Sequence, residues 1–200
     1  MKTIKLFFAA MFAIALLAGC GGDDDEGDSN PTNYFKVDGK TYELKVGYLQ
    51  NWGTDEGYYE GYNLDLVLVS DGFSLDMESY ELAGVGDAIY FEMFTTQSTG
   101  LDAGEYEYSS EEPYPTGSFD YGEYYVGFDI ETEDYESYGY FTGGTVTVSK
   151  SGSTYQISFS CTTSTGKTVT GYFKGILTNL DYDLYGTANR QVKKISFAKE

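Results

Sequence analysis

Thr145-Val146-Thr147-Val148-Ser149 alternates polar and apolar residues. Lys150-Ser151-Gly152-Ser153 interrupts the pattern, and Tyr155-Gln156-Ile157-Ser158-Phe159-Ser160-Cys161 takes it up again. A second break at Ser164-Thr165-Gly166-Lys167 leads into Val169-Thr170-Gly171-Tyr172-Phe173-Lys174-Gly175-Ile176-Leu177. Period-two runs separated by glycine-containing turns predict three antiparallel strands joined as a meander, because successive strand side chains point to opposite faces. Gly171 and Gly175 fall in phase with Val169 and Phe173, so both are expected on the inward face, leaving room for a bulky neighbour or a bend. Cys161 is in phase with Phe159, which predicts a buried, inert thiol.

The pattern extends toward the N-terminus. Tyr34-Phe35-Lys36-Val37 and Lys40-Thr41-Tyr42-Glu43-Leu44 flank Asp38-Gly39, a two-residue hairpin turn whose residues tolerate positive φ. Leu64, Leu66 and Leu68 share one face of a further strand, which ends at a Ser70-Asp71-Gly72 turn. Ile89, Phe91 and Met93 share a face of the next, and Glu105-Tyr106-Glu107-Tyr108 and Gln191 to Phe197 are further strand candidates. No helical periodicity runs through this body. It is therefore expected to be all-β, an antiparallel meander of about ten strands closing as a barrel-like or sandwich domain. Residues 109 to 140, rich in Glu, Asp, Tyr and Gly, lack clean alternation until Phe119 to Phe128 and are expected to form a long mobile hairpin.

The first residues are of a different kind. Lys2 and Lys5 precede an unbroken apolar run from Leu6 to Leu17, the layout of a secretory leader and too short to span a bilayer. The run ends in Leu17-Ala18-Gly19-Cys20, which resembles the lipobox of bacterial prolipoproteins; the resemblance implies cleavage after Gly19 and a lipid-bearing Cys20. Residues 20 to 32 contain Asp23, Asp24, Asp25, Glu26 and Asp28 and no aliphatic side chain, the composition of a solvated tether. An acidic run just behind the lipidated cysteine is similar to the surface-export signal of Bacteroidota lipoproteins, with Asp23, Asp24, Asp25 and Glu26 carrying it. The expected organisation is a leader over 1–19, a lipidated tether over 20–32 and a single β domain over 33–200. The whole layout resembles the small surface lipoproteins of Bacteroides-type gut bacteria, which implies anchoring in the outer membrane with the domain facing the cell exterior. The lipocalin pattern of Gly-x-Trp near the first strand is not met, since Gln50 stands two residues before Trp52.

Composition removes several function classes. Losing Lys2 and Lys5 with the leader takes the formal net charge from −20 to −22, and between Lys45 and Lys150 there are 22 acids and no Lys, Arg or His. Such a surface repels phosphate backbones, so nucleic acid is excluded as a partner. With no histidine and one thiol left after lipidation, Ser-His-Asp, Cys-His and His-bearing zinc sites are ruled out. A carboxylate pair is the one conventional catalytic route left. Acids are too abundant here for their number to argue for it, and the expectation is no enzyme and no cofactor. Hard oxygen ligands are plentiful but no stretch has EF-hand spacing, which leaves weak surface calcium binding at most.

Tyrosine is the unusual feature, with 21 copies beside a single tryptophan. Many will pack in the sheet. Tyr58, Tyr59, Tyr114, Tyr121, Tyr124, Tyr125, Tyr135 and Tyr138 nevertheless fall in stretches that read as turns or loops. Trp52 at a strand end and Tyr58 and Tyr59 just beyond it form a candidate aromatic rim for a ligand. Three functional readings follow: a non-catalytic binding or accessory module for glycan or protein, a structural subunit of an envelope or fimbrial assembly, and a carboxylate-dependent glycan hydrolase.

Overall fold

The computed structural model describes residues 32–76 and 82–180. The leader, Cys20, Asp23, Asp24, Asp25, Glu26 and the strand expected from Gln191 to Phe197 lie outside these residues. Eleven strands follow in order: β1 (Tyr34–Val37), β2 (Lys40–Glu43), β3 (Val46–Gly53), β4 (Tyr62–Val69), β5 (Phe73–Leu75), β6 (Leu82–Thr95), β7 (Gly104–Tyr108), β8 (Ser118–Asp129), β9 (Ser137–Ser151), β10 (Thr154–Thr163) and β11 (Thr168–Asn179).

Eight of them close a barrel in the order β3-β4-β6-β8-β7-β9-β10-β11, and β1, β2 and β5 attach to it. The expected hairpins are present. Asp38 and Gly39 carry φ of 53° and 76° and join β1 to β2. β9, β10 and β11 form the late meander, paired from Thr154↔Ser151 to Thr163↔Phe141 on one side of β10 and from Thr154↔Ile176 to Thr162↔Thr168 on the other. Two pairings depart from a pure antiparallel meander. β7 runs parallel to the start of β8, and the barrel closes where Leu177, Thr178 and Asn179 of β11 pair in parallel with Gly47, Tyr48 and Leu49 of β3. A hairpin is present within the stretch 109–140, β8 pairing with β9 from Glu123↔Tyr140 to Val126↔Ser137, but it is built into the barrel, since β8 also hydrogen-bonds to β6. Its alternation is masked by bulges opposite Gly86/Ala88 and Glu92/Met93, which shift the face of every residue beyond them.

Side chains fill the barrel interior. Phe91 lies at its centre, with ring centroids 5.3 Å from Phe119, 5.4 Å from Phe141 and 5.4 Å from Phe159. Gly171 makes room for this cluster, because a Cβ there would stand 2.1 Å from the Phe159 ring. Gly175 likewise faces the Phe173 ring. Cys161 is buried on the same interior face, and burial pushes its thiol up to about 12, so it stays protonated and unreactive.

A second apolar cluster lies outside the barrel. Val67 and Val69 of β4, Ala88 and Tyr90 of β6, and Tyr125 and Phe128 of β8 pack with Phe73, Leu82 and Leu180. β4 is consequently buried on both faces from Leu64 to Val69, although its leucines alone read as a strand with one apolar side.

Candidate functional site

The outer surface of β3, β4, β6 and β8 carries an unusual polar row between the second apolar cluster and one end of the barrel. Leu49, Leu64, Leu66, Phe91, Met93 and Phe119 point into the core. Their neighbours Gln50, Asn63, Asp65, Glu92 and Asp120 therefore project outward. Register aligns them across strands: Gln50 opposes Asp65, Asp65 opposes Glu92, and Glu92 opposes Tyr121, with Asp120 carried on the bulge beside it. Directly opposed side chains on one face have Cβ atoms about 4.5–5.5 Å apart.

The row is largely withdrawn from solvent. Asp65 is 0% exposed and Gln50 5%, while Asn63, Glu92 and Asp120 are half-buried. The Trp52 indole N–H donates to Asp65 Oδ2 at 2.7 Å, and the Tyr90 hydroxyl donates to Glu92 Oε1 at 2.9 Å. One pleat further along, the Tyr121 hydroxyl donates to Glu123 Oε2 at 2.7 Å. Burial first, and then the carboxylates beside them, hold the phenols of Tyr90 and Tyr121 far above their ordinary range, so both remain donors. Among the described residues, no three Asp, Glu or Cys side chains converge closely enough to hold a metal ion.

Aromatic rings build the adjoining end of the face. Phe94 is sandwiched between Tyr59 and Tyr114, each with its ring centroid 5.1 Å away, and Tyr58 packs edge-on against Tyr114 at 5.4 Å. Backbone bonds from Glu60 N–H to the Tyr114 carbonyl (2.8 Å) and from Tyr114 N–H to the Tyr58 carbonyl (3.0 Å) tie the two loops together. The structure therefore divides the expected rim. Trp52 and Tyr58 are 40% and 44% exposed, whereas Tyr59 is 9% exposed and belongs to the stack. Tyr58 and Tyr59 meet at 6.0 Å, but the Trp52 indole turns onto the sheet toward Asp65. Several tyrosines read as loop residues are strand residues instead: Tyr121, Tyr124 and Tyr125 lie on β8 and Tyr138 on β9, with Tyr124 inside the barrel. Sequence reading missed Gln50, Asp65, Glu92 and Asp120, and it placed Tyr114 on a loop without its stack on Phe94. The one available signal was Asp65, a charge set in an otherwise apolar run from Leu64 to Val69.

Asp120 joins the two parts. Burial, and then the Glu92 carboxylate, push its carboxyl up to about 6, and the Tyr114 hydroxyl and nearby backbone N–H groups moderate the rise. Between the 3.8 of an unperturbed aspartate and about 6, the folded state keeps a proton that the unfolded state has lost. Stability contributed by this group therefore falls as pH rises through that window and stays lost above it. Asp120→Asn should add about 1 kcal/mol at pH 7.5, after allowing for partial solvent screening, and nothing at pH 4. Urea unfolding at the two pH values measures this, and an equal difference at both would assign the effect to something other than ionisation.

Comparison of the chain with protein-family profiles, with curated proteins and with solved structures found no match in any of the three.

Proposed function

We propose that this protein is a surface-displayed lipoprotein, anchored in the outer membrane through Cys20, whose barrel is a non-catalytic binding module for a glycan. One observation carries the ligand assignment: Trp52 and Tyr58 remain 40% and 44% exposed beside a row of hydrogen-bond acceptors. A sugar ring offers apolar C–H faces that stack on such rings and hydroxyls that donate to carboxylates and side-chain amides. The leader, the lipobox and the acidic run at Asp23, Asp24, Asp25 and Glu26 support display outside the cell. The assembly reading calls for long unpaired strand edges. Among the described residues the barrel ring is closed, and the strands left at sheet margins, β2 and β5, are four and three residues long.

The test is a glycan and matrix-protein screen on the purified mature chain, with and without calcium. For the glycan that binds, Trp52→Ala and Tyr58→Ala should each cost about 1–3 kcal/mol of affinity with little change in melting temperature. Tyr59→Ala should cost about 3–5 kcal/mol of folding stability, because its ring is stacked on Phe94. Full affinity in both the Trp52 and the Tyr58 variants would remove the rim from the ligand site. Cys20→Ala should move the protein from the membrane to the soluble or unprocessed fraction, and membrane retention would end the anchoring claim.

One observation favours the hydrolase as a second reading. Asp120 lies on the same outer surface as Glu92, and burial pushes its carboxyl up to about 6, as a general acid requires. Release of reducing ends from a bound oligosaccharide, abolished by Asp120→Asn, would replace the binding reading with this one.

A further inference from the structure

We propose that the outer wall formed by β10, β11 and β1 is a membrane-facing surface: it rests on anionic lipid headgroups of the bilayer that holds the anchor and turns the opposite wall toward the medium. The inference rests on the anchoring through Cys20 proposed above and is independent of what the opposite wall binds.

Charge is divided along the chain. All 22 acids between Lys45 and Lys150 fall within residues 46–136, whereas residues 137–180 contain Lys150, Lys167 and Lys174 and no acid. Topology turns this division in sequence into two walls. β9, β10 and β11 come wholly from the acid-free stretch, and in the closed ring β10 stands four places from β6 in either direction. β1 extends the acid-free wall, and the two acids of its hairpin with β2 are each paired with a lysine, Asp38 with Lys167 and Glu43 with Lys45. Facing sheets stand about 10 Å apart, and exposed charges are screened beyond about 8 Å at physiological ionic strength. A surface that touches the β10–β11–β1 wall is therefore largely screened from the acids behind it.

The side chains of this wall suit a headgroup layer. Phe35, Ile157, Phe159, Val169 and Phe173 point into the core, so the residues between them project outward. Register sets Ser160, Thr170 and Lys36 side by side on the three strands, with Ser158, Tyr172 and Tyr34 one pleat along. Lys36 and Lys174 are exposed, and Ile176, the next outward residue after Lys174, is 65% exposed. The ammonium groups attract phosphates, tyrosine rings sit well at headgroup level, and an exposed isoleucine gains by entering the apolar boundary. The acidic wall of a second copy also complements this one in sign, but that contact joins two chains that are each strongly negative overall. The entry of the chain favours the membrane. Asn33 directly follows the tether over 20–32, and its side chain is fixed to this wall. Its Oδ1 accepts from the Lys174 N–H at 2.7 Å and its amide donates to the Lys174 carbonyl at 3.3 Å.

For the test, the mature chain from Cys20 is coupled through that cysteine to a maleimide phospholipid in vesicles, Cys161 being buried and out of reach. The vesicles are phosphatidylcholine with or without phosphatidylglycerol, and carry a headgroup-nitroxide lipid that quenches indole emission on contact. Trp52, the only tryptophan, reports on the acidic side in the wild type, and Ile176→Trp/Trp52→Phe reports on the proposed contact. With phosphatidylglycerol at low salt, quenching should be about tenfold more efficient in that variant than in the wild type. Adding Lys36→Glu/Lys174→Glu should abolish the difference. Adding Ser158→Lys should strengthen the quenching, a gain that misfolding does not mimic. Equal quenching of the two indoles, or quenching that ignores phosphatidylglycerol, overturns the proposal. So does a salt-sensitive oligomer of the uncoupled chain that Lys36→Glu/Lys174→Glu dissociates, which would assign the wall to a second copy. The lipid is supplied chemically, so the orientation can fail here while Cys20→Ala still releases the protein from cell membranes, and the two readings are distinguished.

Discussion

Replacing Phe91 with alanine should remove about 4 kcal/mol of folding stability, within the range of about 3–5 kcal/mol seen when a buried phenylalanine is truncated. The ring is fully buried and touches three other phenylalanines drawn from β8, β9 and β10, so no single neighbour can move to fill the space without abandoning the other two. Gly122, directly across the β6–β8 pairing, leaves a gap shaped to the same ring, since a Cβ there would lie 2.8 Å from it. Domains of this size are stable by only about 5–15 kcal/mol, so the variant should sit near the edge of folding at physiological temperature. Urea unfolding with an unchanged slope checks this. A loss below about 2 kcal/mol would show that the interior collapses around the cavity.

Gly171→Ala should cost about 2–3 kcal/mol by the opposite route, overpacking. The added methyl would stand 2.1 Å from the tip of the Phe159 ring and 2.7 Å from its flanks. That ring is held edge-on against Phe91 and cannot swing aside freely. Phe159→Leu shortens the obstacle, so the alanine should cost at least about 1 kcal/mol less in that background than in the wild type. If the two substitutions simply add, the glycine is required for some reason other than the ring opposite it.

The sequence and the structure agree where an element is specified by its immediate neighbours. The Asp38-Gly39 turn and the alternation from Tyr155 to Cys161 are local properties, and both held in the structure. The inward placement of Gly171 was legible for the same reason, since phase along a single strand is enough to assign a face. What could not be read depends on register between strands distant in sequence. Gln50, Asp65, Glu92 and Asp120 look like four unrelated polar residues until the β3–β4–β6–β8 pairings line them up, and Asp120 joins them through a bulge that a simple alternation cannot anticipate. The double burial of β4 is hidden likewise, because what covers its second face comes from β5, the start of β6 and Leu180. The exposure of Trp52, near the end of β3, and of Tyr58, beyond it, was legible from their places in the sequence. Tyr59, their neighbour, went into the aromatic stack because its partner Tyr114 arrives on a loop far along the chain.

The parallel contact between the end of β11 and the start of β3 bears on how the chain is made as well as on how it is held. A polypeptide emerges N-terminus first, and β3 is among the earliest parts of the domain to appear. Its barrel partner on that side is among the last. β3 and β4 can pair early as a hairpin, yet the ring cannot shut until Leu177, Thr178 and Asn179 have been released, almost a full domain later. Such long-range closure slows folding and prolongs the interval in which strand edges stay open to wrong partners. Any truncation that ends the chain before Leu177 should accordingly give an open sheet that seeks other edges, with aggregation rather than a smaller barrel as the outcome.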